Sequence, residues 1–257
     1  MPSSVRLITR ARAMVHKIRS YGRNSELSAD YRLATEESIP TADGWRSEAA
    51  ANEQHFAFQR LLKEARDGNP RLDFQVAALA ISATRVKNPL IIEIGCGSGY
   101  YCEALPLLLK RPIRYIGIDF SGPMVALAHS TYEHVPFLAG DACKLPLRDG
   151  CCDIILNGTS LMHITNYRRA IAESVRASRQ WCIFHTVPVI EQRSTTLLTK
   201  LAYGRRVAEV IFNRREIESM LNDQRLAIEQ TFDSIPYDVS AVVGEASRTV
   251  TYLCRKI

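Results

Sequence analysis

Leu90-Ile91-Ile92-Glu93-Ile94 is a short apolar run of strand character that passes directly into Gly95-Cys96-Gly97-Ser98-Gly99, and Tyr100-Tyr101-Cys102-Glu103-Ala104-Leu105 then opens a helical pattern. A strand that feeds a helix through three alternate glycines commits the chain to an α/β arrangement. The backbone can turn sharply there, and a ligand can lie against bare main chain. Two common nucleotide-binding versions of this turn are excluded by the residues themselves. A P-loop needs Gly-Lys followed by Ser or Thr, and none is present. The dinucleotide fingerprint places its third glycine three residues after the second, where this chain has Tyr100. What remains is an acid, Glu93, two residues ahead of Gly95, with Gly97 and Gly99 following at alternate positions.

Strand-like and helical runs alternate downstream. Ile113 to Ile118, Val135 to Leu138, Cys152 to Leu156 and Trp181 to Pro188 have strand character, with helical runs at Pro123 to His129 and Arg168 to Arg176. This alternation predicts a doubly wound, parallel α/β sheet of Rossmann-like type, with ligands at the carboxyl ends of its strands. Ahead of the first strand, Trp45 to Ala83 reads as helical with a break at Gly68-Asn69-Pro70. Beyond the last, Leu197, Leu198, Leu201, Val207, Val210 and Ile211 fall at helical spacing, Arg215 to Leu221 reads as a helix, and Ile228 to Phe232 and Val250 to Cys254 as strands. The second strand ends in Asp119. A carboxylate there can accept both ribose hydroxyls of an adenosine lying across the glycine loop. An oxidoreductase wants the same acid, so Asp119 alone does not discriminate.

Three further segments do. Phe137-Leu138-Ala139 leads into Gly140-Asp141-Ala142 and then Leu145-Pro146-Leu147; Asp119 is followed by Phe120-Ser121 and, later, Met124; the fourth strand reads Asp153-Ile154-Ile155-Leu156-Asn157. With the glycine loop, these resemble in order and spacing the motifs of the class I S-adenosylmethionine-dependent methyltransferases, of the small-molecule, type 11-like kind, from about Leu90 to Pro188. The resemblance implies S-adenosylmethionine as cofactor, held by Glu93, Gly95, Gly97, Gly99, Asp119, Phe120, Met124, Asp141, Ala142 and Asn157. In it Asp141 takes the adenine amino group, the next backbone N–H takes a ring nitrogen, and Phe120 and Met124 flank the base. It also implies a seven-stranded sheet whose last strand is antiparallel, helices 45–85 as an N-terminal cap, and a lid at 190–213 in which Tyr203, Arg205 and Arg206, around Gly204, reach toward the acceptor. The domain then fills 45–257.

Methyl transfer to a hydroxyl is helped by a base. His163, just past the fourth strand, is the first candidate for a catalytic residue, since methyltransferases of this kind often carry histidine in that loop. Its alternative is a helix cap or a contact to the cofactor's tail. His185, late in the fifth strand, is the second candidate, although strand alternation favours turning it into a helix layer instead. An unshifted imidazole would titrate at roughly 6.5.

The net charge of +6 comes from 33 basic and 27 acidic residues. Arg6, Arg10, Arg12, Lys17, Arg19 and Arg23 precede the first acid, Glu26, and without them the body is neutral. That argues against a nucleic-acid substrate, which calls for a basic face on the domain itself. The leader, 1–44, is a basic amphipathic segment and linker. Its first 23 residues suit peripheral contact with an anionic membrane, a transit peptide, or a solvated helix. Seven cysteines lack paired metal-ligand spacing, so no metal is expected and reduced thiols of a cytoplasmic protein are. The expected acceptor is a small molecule or glycan precursor, methylated at a hydroxyl. A dinucleotide-dependent oxidoreductase and a non-catalytic S-adenosylmethionine-binding regulator stand as the alternatives of other class.

Overall fold

The computed structural model describes residues 31–35, 39, 42–202 and 204–257. The leader's first 23 residues, and Tyr203, lie outside them.

β2 (Leu90–Ile94), β3 (Arg114–Asp119), β4 (Phe137–Ala139), β5 (Cys152–Gly158) and β6 (Ser178–Ile190) pair in parallel in the order β4-β3-β2-β5-β6. β10 (Arg248–Lys256) pairs antiparallel with β6, and β9 (Leu226–Asp233) antiparallel with β10. The seven-stranded, mostly parallel sheet with its antiparallel final strand is therefore present. The chain winds outward from β2 to β4 and then returns to the other side of β2. This reversal opens a crevice at the carboxyl ends of β2 and β5.

Both faces of the sheet are covered. Ile91 and Tyr115, with Ile154 and Leu156, pack on one side with residues of α1 (Glu48–Arg66), α2 (Leu72–Ala83), α3 (Tyr101–Leu109) and α4 (Gly122–Thr131). Ile92, Ile94 and Ile155 face the other side, toward α5 (Tyr167–Ala177) and α6 (Arg214–Asp223). Strand alternation sends neighbours to opposite faces, and burial on both explains why these strands read as continuous apolar runs. Each fully buried isoleucine contributes about 1.5–3 kcal/mol relative to an exposed one.

The helix starts nearest the crevice are capped by short polar side chains. Ser47 accepts from the Ala50 N–H at α1. Ser121 accepts from Met124 N–H at α4 and donates its hydroxyl proton to the Trp45 carbonyl at 2.7 Å. The second bond fastens the 3-10 turn Ala42–Arg46 over the end of β3.

Two expectations are corrected. The segment read as helical after the fifth strand is a β-hairpin, β7 (Thr196–Ala202) and β8 (Arg205–Asn213), turning at Gly204 with φ +71°. Val207, Val210, Ile211 and Phe212 are β-branched or aromatic and favour a pleated surface. Their spacing also satisfies a helical stripe, which misled the period. Within the stretch read as linker, β1 (Arg32–Leu33) pairs antiparallel with β7. Because β5 ends at Gly158, opposite His185, the β5-side edge of β6 is free beyond it, and Phe212 and Asn213 of β8 pair there with Val189 and Ile190. The hairpin thus extends the sheet past the end of β5.

Gly99 sits at φ +86°, and a Cβ there would come within 2.6 Å of the Phe137 ring. Gly99→Ala combines a left-handed backbone penalty with overpacking. It is expected to lower unfolding free energy in urea by about 2–4 kcal/mol, and an unchanged midpoint would show that the loop relaxes freely.

Candidate active site

The crevice opens into a cavity of about 950 Å³, at the upper end of the size of small-molecule sites. Its floor is the glycine loop. Gly95 and Cys96 donate their N–H groups to the Ile118 carbonyl at 2.7 and 3.1 Å, which ties the loop to the end of β3. The next residue, Asp119, accepts from Gly97 N–H at one carboxylate oxygen and Ser121 N–H at the other, both at 2.8 Å. Burial raises its pKa, and the backbone N–H bonds oppose the rise. Each oxygen keeps lone-pair capacity beyond its one backbone bond, and Asp119 borders the cavity.

Gly95, Gly97, Phe120, Met124, Asp141 and Ala142 border the same space. Asp141 is exposed and accepts from Cys143 N–H at 2.8 Å. The Arg46 guanidinium lies 4.7 Å over the Phe120 ring. From α1, the Gln54 side chain accepts from Ser98 N–H at 3.3 Å and also borders the cavity.

Three of the expected cofactor-binding residues are placed elsewhere. Gly99 packs against Phe137 beneath the loop. Glu93 is wholly buried, accepts a hydrogen bond from the Tyr115 hydroxyl, and is held well above the usual carboxylate range by burial. Asn157 is wholly buried with its amide donating to the Ser174 hydroxyl at 3.2 Å. None of the three borders the cavity.

His163 does border it, with 17% of its side chain exposed. Its Nδ1 lies 3.1 Å from the Ala208 carbonyl, and its ring 4.9 Å from that of Trp45. A carbonyl can only accept, so Nδ1 carries the proton and Nε2 of the neutral ring is left with its lone pair. Burial, seconded by the Lys200 ammonium, pushes the imidazole down to about 4 against the pull of Glu209. His163 is therefore a free base at neutral pH.

His185, the second candidate, takes the helix-layer alternative. It is buried, with Nε2 2.9 Å from the Tyr101 hydroxyl and Nδ1 2.8 Å from the Thr251 hydroxyl. The pleat turns it into the α3 layer, both nitrogens are occupied, and it does not border the cavity. Burial lowers its pKa to about 4.

The hairpin supplies what sequence reasoning missed. Opposed register pairs share a face, so Lys200 with Val207 and Leu198 with Glu209 bring Lys200 and Glu209 together diagonally on the inner side. Glu209 is fully buried and ion-paired with Lys200. One of its oxygens accepts from the Tyr31 hydroxyl at 3.2 Å and the Tyr237 hydroxyl at 2.5 Å. Burial alone would raise its pKa; the Lys200 ammonium and the hydroxyl donors outweigh this and hold it low. The visible signal was a single charge inside each of two apolar runs, Leu197-Leu198-Thr199-Lys200-Leu201 and Val207-Ala208-Glu209-Val210-Ile211. Arg205 and Arg206 do not border the cavity. Thr159 and Thr186 do, at φ +60° and +52°, with their hydroxyls 2.7 Å apart. β-Branched residues rarely tolerate this backbone, and such strain concentrates at functional sites.

Residues 92–184 match the family model of a methyltransferase domain. The chain is 30% identical over 95 residues to a demethylmenaquinone methyltransferase of Lactiplantibacillus plantarum, covering 35% of this chain and 40% of that one. It is likewise 30% identical over 100 residues to an O-methyltransferase of Aspergillus nomiae, covering 37% and 44%. The match spans less than half the length of these curated relatives. Among solved structures, it resembles the 1,6-didemethyltoxoflavin-N1-methyltransferase of Burkholderia thailandensis, solved with its substrate and S-adenosylhomocysteine. There the TM-score is 0.57 at 15% identity, over 88% of this chain and 94% of the other.

The histidines also set an acid limit on stability. His185 takes up its proton at about 4 when folded and at roughly 6.5 when unfolded. Between those values the unfolded chain binds more protons, so stability is present above the unfolded pKa and is lost as pH falls toward the folded one. His185→Gln keeps a polar group without that titration. Urea midpoints should drop less between about pH 7 and 4.5 in this variant than in the wild type; equal drops would remove His185 from the acid response.

Proposed function

We propose that this chain, which belongs to the class I S-adenosylmethionine-dependent methyltransferases, transfers the cofactor's methyl group to a hydroxyl oxygen of a small-molecule or glycan-type acceptor, with His163 as the base. The observation that carries the reading is His163 itself: an imidazole bordering the cavity, its Nδ1–H spent on the Ala208 carbonyl and its Nε2 lone pair left over.

The donor set fits the cofactor. Asp119 offers a carboxylate already ordered by Gly97 and Ser121 N–H groups and with capacity left for two ribose hydroxyls. Asp141 and the Ala142 N–H would read the adenine, with Phe120 and Met124 on its faces, and Gly95 and Gly97 would leave room for the tail. When bound, S-adenosylmethionine supplies an already activated methyl on a sulfonium. The chain's task is then alignment, exclusion of water and removal of one proton. Asp119 and Asp141 would hold the donor, and the Ala42–Arg46 turn, pinned through Trp45 to Ser121, would help to keep water from it. His163 takes the acceptor's proton at Nε2. The Ala208 carbonyl keeps the ring in that tautomer and favours the imidazolium as it forms.

Two measurements test this. Asp119→Ala removes charge-assisted hydrogen bonds worth roughly 1.5–3 kcal/mol each. Calorimetry should show S-adenosylmethionine binding weakened well beyond tenfold in a folded protein; unchanged affinity would take Asp119 out of the site. His163→Ala should bind the cofactor nearly as wild type while turnover falls by ~10²–10⁴-fold. Because the free base exists down to about 4, the wild-type rate should stay flat through neutral pH and fall only in acid, and the variant should lose that limb. Full turnover in His163→Ala would leave catalysis to proximity alone.

A further inference from the structure

From Gly95 to Gly99, every N–H of the glycine loop is spent inside the protein. Those of Gly95 and Cys96 go to the Ile118 carbonyl, that of Gly97 to Asp119, and that of Gly99 to the Cys96 carbonyl at 2.9 Å. Ser98 N–H goes to Oε1 of Gln54, on α1, at 3.3 Å. These five residues therefore keep no main-chain donor for an anionic group. What lies over them is a side-chain amide.

An N–H can only donate, so Oε1 is the atom that faces Ser98, and Nε2 carries the two donors of the amide. The bond to Ser98 is the one hydrogen bond the amide makes among the described residues. Gln54 is half-buried and borders the cavity. Its amide rests on the bare main chain of Gly97, where a Cβ would collide with Oε1 and stand 3.2 Å from Nε2.

This position is set by α1. Gln54 falls at helical spacing from Ala50, Ala51, Leu61 and Leu62, all buried, so it sits on the face that the helix turns inward. One turn further on, the Phe58 ring stacks on that of Tyr100 at 3.7 Å, and both rings border the cavity. Residues four apart share a helix face. The stack thus seats α1 on the exit of the glycine loop and brings Gln54 over its middle. A polar group on an inward face is costly unless its hydrogen bonds are made, and here both donors stand unused.

Strand order indicates what meets them. In the function proposed above, Asp141, just past β4, takes the adenine, and Asp119, ending β3, takes the ribose. β2 is the next strand of the sheet, and the glycine loop continues it. The amino-acid tail of the cofactor, with its carboxylate and ammonium, then falls on that loop beneath Gln54.

We propose that Gln54 holds the carboxylate of this tail, its Oε1 anchored by Ser98 N–H and its Nε2 donating, and that it selects for nucleosides that carry such a tail. The inference rests on the placement of adenine and ribose proposed above and adds α1 to the binding site. Accepting from Ser98 polarises the amide and strengthens its Nε2 donors. The loop then reaches the anion through one side-chain amide.

The test compares two thioethers of the same nucleoside, S-adenosylhomocysteine and 5′-methylthioadenosine, the second of which lacks the amino-acid tail. Each is titrated calorimetrically into the full chain and into Gln54→Met and Gln54→Glu, which keep length and helix preference but remove the donors. The wild type should bind S-adenosylhomocysteine the more tightly. Both substitutions should weaken that binding by about tenfold or more, the worth of a charge-assisted hydrogen bond. Gln54→Glu should lose the most, because it sets a second carboxylate against the tail. Affinity for 5′-methylthioadenosine should stay at its wild-type value. Equal affinity of the wild type for the two ligands would overturn the proposal, as would undiminished binding of S-adenosylhomocysteine by either variant. Parallel loss of both ligands would overturn it too, since Gln54 would then only support the loop. Asp119→Ala separates this inference from the one beneath it, because both ligands carry the ribose and should weaken alike. If Asp119→Ala changes neither while the Gln54 variants behave as expected, the ribose placement fails and the grip on the tail stands. If Asp119→Ala weakens both while the Gln54 variants bind as wild type, the grip fails and the ribose placement stands.

Discussion

Two backbone N–H groups converging on one carbonyl, those of Gly95 and Cys96 on Ile118, hold this architecture together at its working end. They bend the exit of β2 across the end of β3, which puts Gly97 N–H opposite the Asp119 carboxylate. The same bend sends the chain into α3 at an angle that lets Phe137 close under Gly99. A side chain at these turns would collide with Phe137 or with Ser160, which itself donates to the Ile94 carbonyl from the far side of the crevice. The crevice is thus defined by main-chain geometry, and the carboxylate at its edge is ordered by main-chain donors. That is an economical way to present a charge, because backbone N–H groups have almost no conformational freedom left to lose.

The opposite wall is built on a different principle. The hairpin β7–β8 lies beyond the end of β5. It is carried by the free edge of β6 beyond the end of β5 and by Asn213, whose amide donates to the Glu191 and Arg193 carbonyls while its oxygen caps α6. On that frame sits a buried carboxylate, an expensive group to take out of water. Glu209 is tolerable there because an ammonium and two phenols from three separate segments, β7, the stretch around Tyr31 and the loop around Tyr237, converge on it. One wall of the cavity is therefore rigid backbone, and the other a polar network whose members depend on one another.

The two histidines show how position divides similar chemistry, His185 lying on β6 and His163 in the short turn after β5. Both are pushed to about 4 by burial. His185 has one nitrogen tied to the Tyr101 hydroxyl of α3 and the other to the Thr251 hydroxyl of β10, whereas His163 has one nitrogen tied to a carbonyl and borders the cavity. Local pattern left both candidacies open, since alternation gives the two faces of a strand without saying which one a ligand uses at His185, and a turn residue such as His163 carries no periodicity at all. Glu93 and Asn157 make the same point from the other direction: they occupy motif positions yet are buried and do not border the cavity.

The sequence by itself determined the order of strands and helices from Leu90 to Pro188, the turn at the three glycines and the acids at the strand ends. Those features are local: apolar runs, residues that permit sharp turns, and carboxylates at or just past the end of a strand. It also carried the antiparallel last strand, through resemblance rather than pattern. Only the tertiary structure decided the rest. Leu197, Leu198 and Leu201 with Val207, Val210 and Ile211 satisfy a helical and a strand period equally, and the choice fell to the unpaired edge of β6, a partner distant in sequence. The meeting of Tyr31, Lys200, Glu209 and Tyr237 likewise has no local signature. Each is an ordinary residue in its own segment, and a buried charge acquires its meaning from the groups that come to surround it.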